Sequence, residues 1–142
     1  MIRKFQNTDI NEIAKIWLDT NIKAHNFIPA QYWQEKFKIA KEMFLQAEIY
    51  VYKNEGTNKI RGFIGLSNDY IAGIFICSEA QSNGIGKQLL DFVKESKIEL
   101  SLNVYKKNIR AIKFYQRENF IIHSEDIDRN TNEKEYMMVW KR

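Results

Sequence analysis

The sequence predicts an α+β fold in which helices cover the faces of a mixed, mostly antiparallel sheet. Two amphipathic segments precede three consecutive strands, a strand–helix–strand unit follows, and a further helix and two strands end the chain. Strands linked by short turns pair antiparallel, whereas a helical crossover joins parallel strands. These observations predict a sheet of six to seven strands with about four helices.

The N-terminal half predicts a strand, two helices and a hairpin. A short strand over Ile2–Phe5 is followed by Asn7-Thr8-Asp9, which supply a helix cap. Apolar residues then recur at helical spacing in two segments separated by Pro29. They are Ile10, Ile13, Ala14 and Trp17, then Trp33, Phe37, Ala40 and Phe44. From Glu48 the period shortens to that of strands, and a turn around Gly56 closes a hairpin.

The C-terminal half predicts a parallel strand pair and a final antiparallel pair. The isoleucine-rich run Tyr70–Cys77 is too short for a helix and predicts a strand. A helix begins at Ile85, after a glycine-rich turn, and is expected to end near Lys97. The remaining predicted elements are a strand over Leu100–Val104, a helix over Asn108–Glu118, and strands over Phe120–His123 and Glu135–Trp140 joined by a polar loop.

Composition favours one globular domain over residues 1–142. Hydrophobic residues make up 44% of the chain, enough for a sizeable core. The net charge of +4 permits an anionic partner, but the basic residues are scattered among acidic ones, so we expect no nucleic-acid partner. The lone Cys77 excludes an intrachain disulfide. With no long apolar stretch near the N-terminus, we expect a cytoplasmic protein without a membrane partner.

The glycine-rich turn is the first candidate site. Gln81-Ser82-Asn83-Gly84-Ile85-Gly86-Lys87 connects a strand to a helix start, where free backbone N–H groups favour an anion such as phosphate. The alternative is a tight turn that needs glycine for geometry alone. A Walker A loop is excluded by Gln88 and by Gln81. A dinucleotide fingerprint is excluded by Leu89.

Two motifs carry a family resemblance. Gln81-x-x-Gly84-x-Gly86 resembles the acetyl-CoA loop of the GNAT (GCN5-related) N-acetyltransferases. The succession Val104–Asn108, Ala111–Tyr115 and Asn119-Phe120 is similar to the family's downstream motif. Segments of the N-terminal half also resemble small bacterial members, namely Ile16-Trp17-Leu18, His25–Ile28 and Tyr32-Trp33. The family often has basic residues where Ser82 and Asn83 stand, which leaves phosphate contacts to backbone N–H groups and Lys87.

The resemblance implies a three-layer GNAT-like fold with a splayed parallel strand pair, and acetyl-CoA as cosubstrate without a metal. Tyr115 is implied as the general acid that protonates the leaving CoA thiolate. Splaying would free backbone groups of the strand ending at Cys77 for the cofactor. The implied cofactor-binding residues are Ile74, Phe75, Ile76, Gln81, Ser82, Asn83, Gly84, Ile85, Gly86, Lys87 and Asn108.

The implied reaction is direct attack of a primary amine on acetyl-CoA in a ternary complex. The acceptor is a protein lysine or a small molecule; the alternative function is an inactive acyl-CoA-binding regulatory module. His25 and Asp69 are the acceptor-side candidates, whereas Cys77 is expected to be packed in the core. Glu125, Asp126 and Asp128 either attract a cationic acceptor or lie in a solvated loop. We expect a monomer or a homodimer, with the strand Tyr136–Trp140 available for a dimer contact.

Overall fold

The computed structural model describes all residues from Met1 to Arg142 and contains one seven-stranded sheet in the order β1-β2-β3-β4-β5-β7-β6. The strands are β1 (Ile2–Lys4), β2 (Glu48–Lys53), β3 (Ile60–Ser67), β4 (Tyr70–Ile76), β5 (Glu99–Tyr105), β6 (Ile121–Asp128) and β7 (Glu133–Lys141). The helices are α1 (Ile10–Ala24), α2 (Ala30–Phe44), α3 (Ile85–Lys94) and α4 (Ile109–Arg117). Neighbouring strands are antiparallel except for the parallel pair β4–β5, which confirms the predicted mixed sheet.

The sheet forms the middle layer between two hydrophobic clusters. Successive side chains of a strand point to opposite faces, and on β3 the fully buried neighbours Phe63 and Ile64 enter different clusters. Phe63 packs with residues of α1 and α2, including Ile13 and Phe44. Ile64 packs with residues of α3 and α4 and with the inner strands, including Leu89. The helices therefore lie as two pairs, one pair on each face.

The parallel pair β4–β5 separates soon after it begins. Only Tyr70 with Ser101 and Ile71 with Leu102 are paired, although both strands continue, β4 to Ile76 and β5 to Tyr105. The carboxyl ends of the two strands therefore border a wedge-shaped opening in the sheet. Because α3 follows β4 and α4 follows β5, both helices begin beside this wedge.

Some boundaries predicted for helices and strands in the C-terminal half of the chain are wrong. The strand β6 extends to Asp128, so the acidic residues expected in a loop lie in a strand. Its exposed edge position explains the error, because a strand without a buried face does not alternate apolar and polar residues. Helix α3 ends at Lys94 rather than Lys97, where the hydroxyl and amide of Ser96 bond back to the Val93 carbonyl.

The strand β7 lies inside the sheet, between β5 and β6. Its backbone edges are therefore both occupied, and Met138 and Trp140 are buried. This position excludes backbone pairing of Tyr136–Trp140 with a second copy, whereas a dimer contact through its side chains stays a prediction. No helix of the structure is long and apolar enough to cross a membrane.

Candidate active site

The glycine-rich turn before α3 requires glycine for two different reasons. Gly84, at the N-terminal cap of α3, has a φ of 77°, a left-handed conformation that side chains disfavour. Gly86 lies in the first turn of α3, where an added Cβ would stand 3.4 Å from the ring of Phe114. Glycine at position 86 thus lets α4 approach the start of α3. Ser82 is also left-handed, with a φ of 68°.

The start of α3 presents free backbone amides. The N–H of Gln88 donates to the carbonyl of Gly84 at 3.0 Å, which is the first bond of the helical ladder. The preceding amides of Ile85, Gly86 and Lys87 therefore have no acceptor inside the helix. These N–H groups and the positive end of the helix dipole favour an anion at the turn.

Lys87 is engaged elsewhere. Its ammonium lies 3.1 Å from a carboxylate oxygen of Glu118 and 3.2 Å from one of Asp91. Hydrogen bonds to these two carboxylates raise the pKa of Lys87. Because two negative charges accompany its one positive charge, Lys87 adds little positive potential at the turn.

Arg110 supplies the positive charge beside the turn. Its guanidinium donates to the side-chain oxygen of Gln81 at 2.8 Å and to the hydroxyl of Ser82 at 3.2 Å. Sequence reasoning missed this residue, because it is 24 positions beyond Gly86 on the chain. The available signal was its place two residues after Asn108, in the first turn of the helix that follows the second parallel strand.

Gln81 connects the end of β4 to α4. Its side-chain nitrogen donates to the carbonyl of Ile76 at 3.1 Å, while its oxygen accepts from Arg110 at 2.8 Å. The carbonyl of Ile76 is therefore not free, in contrast to the prediction that its backbone is unpaired. Gln81 fixes the position of the turn between the two helix starts.

The backbone of β4 offers the wedge fewer groups than predicted. The N–H of Cys77 donates to the carbonyl of Arg61 at 2.9 Å, so the backbone N–H of Cys77 points toward β3. Antiparallel ladders alternate, and this places the N–H and C=O of Phe75 toward its partner Phe63 on β3. The expectation of unpaired backbone at Phe75 is therefore wrong. The same alternation points the backbone groups of Ile74 toward the wedge.

Asn108 caps α4 and contacts His25. Its side-chain oxygen accepts from the N–H of Ala111 at 3.3 Å, and its side-chain nitrogen lies 3.2 Å from Nε2 of His25. Because the oxygen is occupied by an N–H donor, the amide nitrogen donates to Nε2, and Nδ1 of His25 carries the proton. Asn108 therefore has a partner on each side-chain atom.

His25 lies in an aromatic cluster at the end of α1. Its ring stacks on Trp33 with centroids 5.3 Å apart and meets Tyr105 and Phe27 edge-on. Nδ1 is buried without a hydrogen-bond partner, and burial lowers the pKa of His25 to about 4. The imidazole is therefore neutral near pH 7 and a weak base. The structure therefore brings this predicted acceptor-side residue into contact with Asn108 at the start of α4.

Tyr115 is a buried residue of α4, with 8% of its surface exposed. Its ring packs edge-on against Phe114 and Phe120, and its position two turns after Asn108 puts it on the same helix face. Burial, together with the nearby Tyr70, raises the pKa of Tyr115 well above its ordinary value. The hydroxyl therefore stays protonated at neutral pH, as a proton donor must.

The sheet face toward α1 and α2 carries polar groups beside the wedge. The hydroxyl of Tyr70 donates to the side-chain oxygen of Asn103 at 2.8 Å, and that of Tyr105 donates to Asp128 at 2.5 Å. Glu135 is paired with Tyr105 in the register of β5 and β7. We call the set Tyr70, Asn103, Tyr105, Asp128 and Glu135 the acceptor face.

A shallow cavity of about 340 Å³ lies next to the acceptor face. The segment between α1 and α2 forms one wall, and the loop between β6 and β7 forms the other. Its lining residues are Phe27, Ile28, Pro29, Gln31, Tyr32, Glu35, Asn130 and Thr131.

Two of the predicted acidic residues, Asp69 and Glu125, do not belong to the acceptor face. Asp69 lies 3.6 Å from the ammonium of Lys97, and its carbonyl accepts from the N–H of Ser101, at the paired end of β4–β5. Its distance from the open end is roughly 20 Å at the rise of a strand, so the acceptor-side prediction for Asp69 is wrong. Glu125 bonds Lys106 at 3.1 Å, on the opposite face from the neighbouring Asp126.

Cys77 has the surroundings of a packing residue, as expected. Its sulfur lies 3.9 Å from the carbonyl of Ile60, and it packs against both hydrophobic clusters. Burial raises the pKa of the thiol, which keeps it in the unreactive protonated form. The structure contains no cluster of three or more histidine, cysteine, aspartate or glutamate residues arranged to bind a metal ion.

The sheet order, the wedge and the glycine turn are features of a GNAT acetyltransferase. The sequence model of the family, described as the acetyltransferase (GNAT) domain, matches residues 46–122. The chain belongs to this family. It is an N-acetyltransferase that uses acetyl-CoA as cosubstrate.

Similar proteins support this membership over most of the chain. The peptidyl-lysine N-acetyltransferase YiaC of Escherichia coli K12 is 34% identical over 124 residues, which cover 86% of this chain and 84% of YiaC. The solution structure of apo YjaB from Escherichia coli superposes with a TM-score of 0.87 at 23% identity, covering 99% of this chain and 96% of that one. The PaiA N-acetyltransferase of Thermoplasma acidophilum, solved with coenzyme A, gives 0.83 at 20% identity, covering 100% and 98%.

Proposed function

We propose that this chain transfers the acetyl group of acetyl-CoA directly to the ε-amino group of a lysine side chain in a protein. The observation that carries the proposal is the wedge, which has free helix amides and Arg110 at one side and the acceptor face at the other. Carboxylates of that face suit a cationic amine. The relative YiaC is a peptidyl-lysine N-acetyltransferase, which supports the same acceptor class. We further propose that residues 1–142 act as one domain, because both hydrophobic clusters share the sheet.

The cofactor would bind with its pyrophosphate at the glycine turn. The free amides of Ile85, Gly86 and Lys87 and the guanidinium of Arg110 favour phosphate oxygens there. The backbone of Ile74 is placed to bond the amide-containing arm of the cofactor. Direct contacts from Ile76, Gln81, Ser82, Asn83, Gly84 and Asn108 stay predictions, whereas the backbone of Phe75 is paired with β3.

The chemistry removes two protons from the acceptor nitrogen, one of them before attack, and adds one proton to the leaving sulfur. A lysine ammonium has a pKa of about 10.4, so it must lose a proton before its nitrogen can attack the thioester carbonyl carbon. As the carbon–sulfur bond breaks, the sulfur leaves with the electron pair, and the hydroxyl of Tyr115 supplies a proton to it. The high pKa of Tyr115 keeps that proton available. The products are an acetylated lysine and free CoA.

The proposal is tested by offering acetyl-CoA and three acceptors in parallel: a peptide with one internal lysine and a blocked N-terminus, the same peptide with arginine for lysine and a free N-terminus, and spermidine. We expect CoA release and a mass increase of one acetyl group only with the lysine peptide. Acetylation of spermidine or the N-terminus instead would contradict the lysine proposal. Failure of every acceptor alongside normal acetyl-CoA binding would contradict amine acetylation.

A further inference from the structure

Two candidates for the base that deprotonates the acceptor amine are unsuited to the role. Asp69 lies at the paired end of β4–β5 and contacts Lys97. His25 is a weak base, because burial lowers its pKa to about 4, and its Nε2 already accepts from Asn108. The proposed lysine acceptor nevertheless requires a group that takes its proton.

Glu135 lies where such a group is needed. It is paired with Tyr105, the last residue of β5, and with Asp126 of β6. Directly paired residues project to the same face, so Glu135 shares the face of Tyr105, which contacts His25 and Phe27. Adjacent strands are about 4.8 Å apart, so Glu135 is one strand spacing from the wedge and level with its open end.

Neighbouring acidic side chains have partners, whereas Glu135 has none. Asp128 accepts from the hydroxyl of Tyr105, and Asp126 accepts from the N–H of Ile127 at 2.8 Å. Glu133, two residues before Glu135, lies 3.2 Å from the ammonium of Lys107. The half-buried carboxylate of Glu135 makes no hydrogen bond or ion pair within the chain, so both oxygens are available.

The electrostatics around Glu135 suit a base. Burial, and the negative charges of Asp128 and Asp126 on β6, raise its pKa above the ordinary value of a glutamate. Glu135 makes no ion pair with a lysine or an arginine, and Lys107 is paired with Glu133. Burial, and secondarily the charge of Glu135, raise the pKa of Tyr70 on β4; burial, and secondarily Tyr70, raise the pKa of Tyr115. Burial, and secondarily the charge of Asp128, raise the pKa of Tyr32 on α2.

We propose that Glu135 is the general base of the acetyl transfer, a role that rests on the proposed lysine acceptor. Its carboxylate takes one proton from the acceptor ammonium, directly or through one water molecule. The neutral amine then forms the carbon–nitrogen bond as the carbon–sulfur bond breaks. Tyr115 gives its proton to the sulfur, and the second proton that the nitrogen loses on becoming an amide restores the Tyr115 hydroxyl through solvent. The proton held by Glu135 leaves to solvent, so no other reactant is needed. Tyr70 and Asn103, joined by their hydrogen bond, shape the path between the two groups.

The test is the pH dependence of kcat and KM for Glu135→Gln with the lysine peptide. Glutamine keeps the shape of the side chain but cannot take the proton. We expect kcat at pH 7 to fall about 100-fold or more, with the KM for acetyl-CoA unchanged. The deficit should shrink as the pH rises toward 10, where the amine loses its proton to solvent. Glu135→Asp should restore part of the rate at pH 7.

Glu125→Gln is the matched control, because it removes the same charge one strand away on the opposite face. It should keep the wild-type kcat and pH profile. A wild-type kcat in Glu135→Gln, an equal loss in both variants, or a loss confined to the KM of the peptide would overturn the assignment. The wild-type enzyme decides the proposed function separately: if it releases no CoA with the lysine peptide, lysine acetylation fails before Glu135 is tested.

Discussion

The two sides of the wedge are built differently. The cofactor side consists of backbone amides at the start of α3, with glycines at positions 84 and 86. The acceptor face consists of side chains from β4, β5, β6 and β7, such as Tyr70, Tyr105 and Glu135. One side therefore depends on a contiguous segment with fixed dihedral angles, and the other depends on the register of strands. Substitutions on the cofactor side should therefore mainly affect cofactor binding, and substitutions on the other side should mainly affect turnover.

Tyr115→Phe should give the largest effect of the variants that probe this division. Losing the hydroxyl removes the proposed proton donor to the leaving sulfur, so we expect kcat to fall about 100-fold or more. The buried ring keeps its contacts with Phe114 and Phe120, so the free energy of unfolding should change little. Steady-state kinetics and calorimetric binding of acetyl-CoA measure the two quantities. Unchanged kcat would contradict the assignment.

Gly84→Val should weaken acetyl-CoA binding by about 10-fold or more, because its φ of 77° strains a branched side chain by about 1–2 kcal/mol and disturbs the amides that follow. Gly56→Val is the matched control. Gly56 has a φ of 92° in the β2–β3 turn, and an added Cβ there would also meet no atom within 4 Å. Both variants should lose stability, but only Gly84→Val should weaken binding in isothermal titration. Equal binding losses would mean that strain alone accounts for the result.

Arg110→Met should weaken acetyl-CoA binding by about 5- to 10-fold, with the larger loss at low salt, because a charged contact to phosphate is screened by ions. Lys87→Met should change binding by less than about 2-fold, since the ammonium is already paired with Glu118 and Asp91. Titrations at two salt concentrations distinguish the variants. A larger loss for Lys87→Met would restore the original prediction of Lys87 as the phosphate contact.

His25 should produce the smallest effect, and on stability rather than turnover. Its pKa is about 4 in the folded protein and near 6.5 in an unfolded chain, so the unfolded state binds more protons between those values. The stabilisation by neutral His25 is fully present above pH 6.5 and is lost as the pH falls toward 4. Urea unfolding across this range should show the dependence, and His25→Phe should flatten it. An equally steep dependence in His25→Phe would assign it to other groups.

The sequence predicted the fold well because most elements had local signals. Helical spacing located α1 and α2, and the glycine turn marked the start of α3. The prediction failed at β6, because an exposed edge strand has no apolar face to reveal its period. It also failed for the length of α3, where Ser96 fitted the helical spacing but lies in the turn after the helix.

In the site, residues of a local motif could be predicted from the sequence, whereas residues brought together by long-range contacts could not. The glycine turn could be found from one heptapeptide, since its function depends on its own backbone. Arg110 reaches Gln81 only because two helices begin side by side, and Glu135 reaches the wedge only through the register of β7. Neither of these contacts corresponds to a fixed spacing between residues along the chain. For the same reason the sequence did not reveal that Lys87 is paired with Glu118, which is 31 positions away.

The outer position of β6 also bears on how copies of this protein behave at high concentration. A strand at the edge of a sheet has one row of unpaired N–H and C=O groups, which can recruit a strand from another molecule into a continuous aggregate. Here three of the eight residues of β6 are acidic, Glu125, Asp126 and Asp128. Antiparallel alignment of two such edges would bring like charges together. The carboxylates of β6 therefore disfavour pairing of this edge with a second copy of itself.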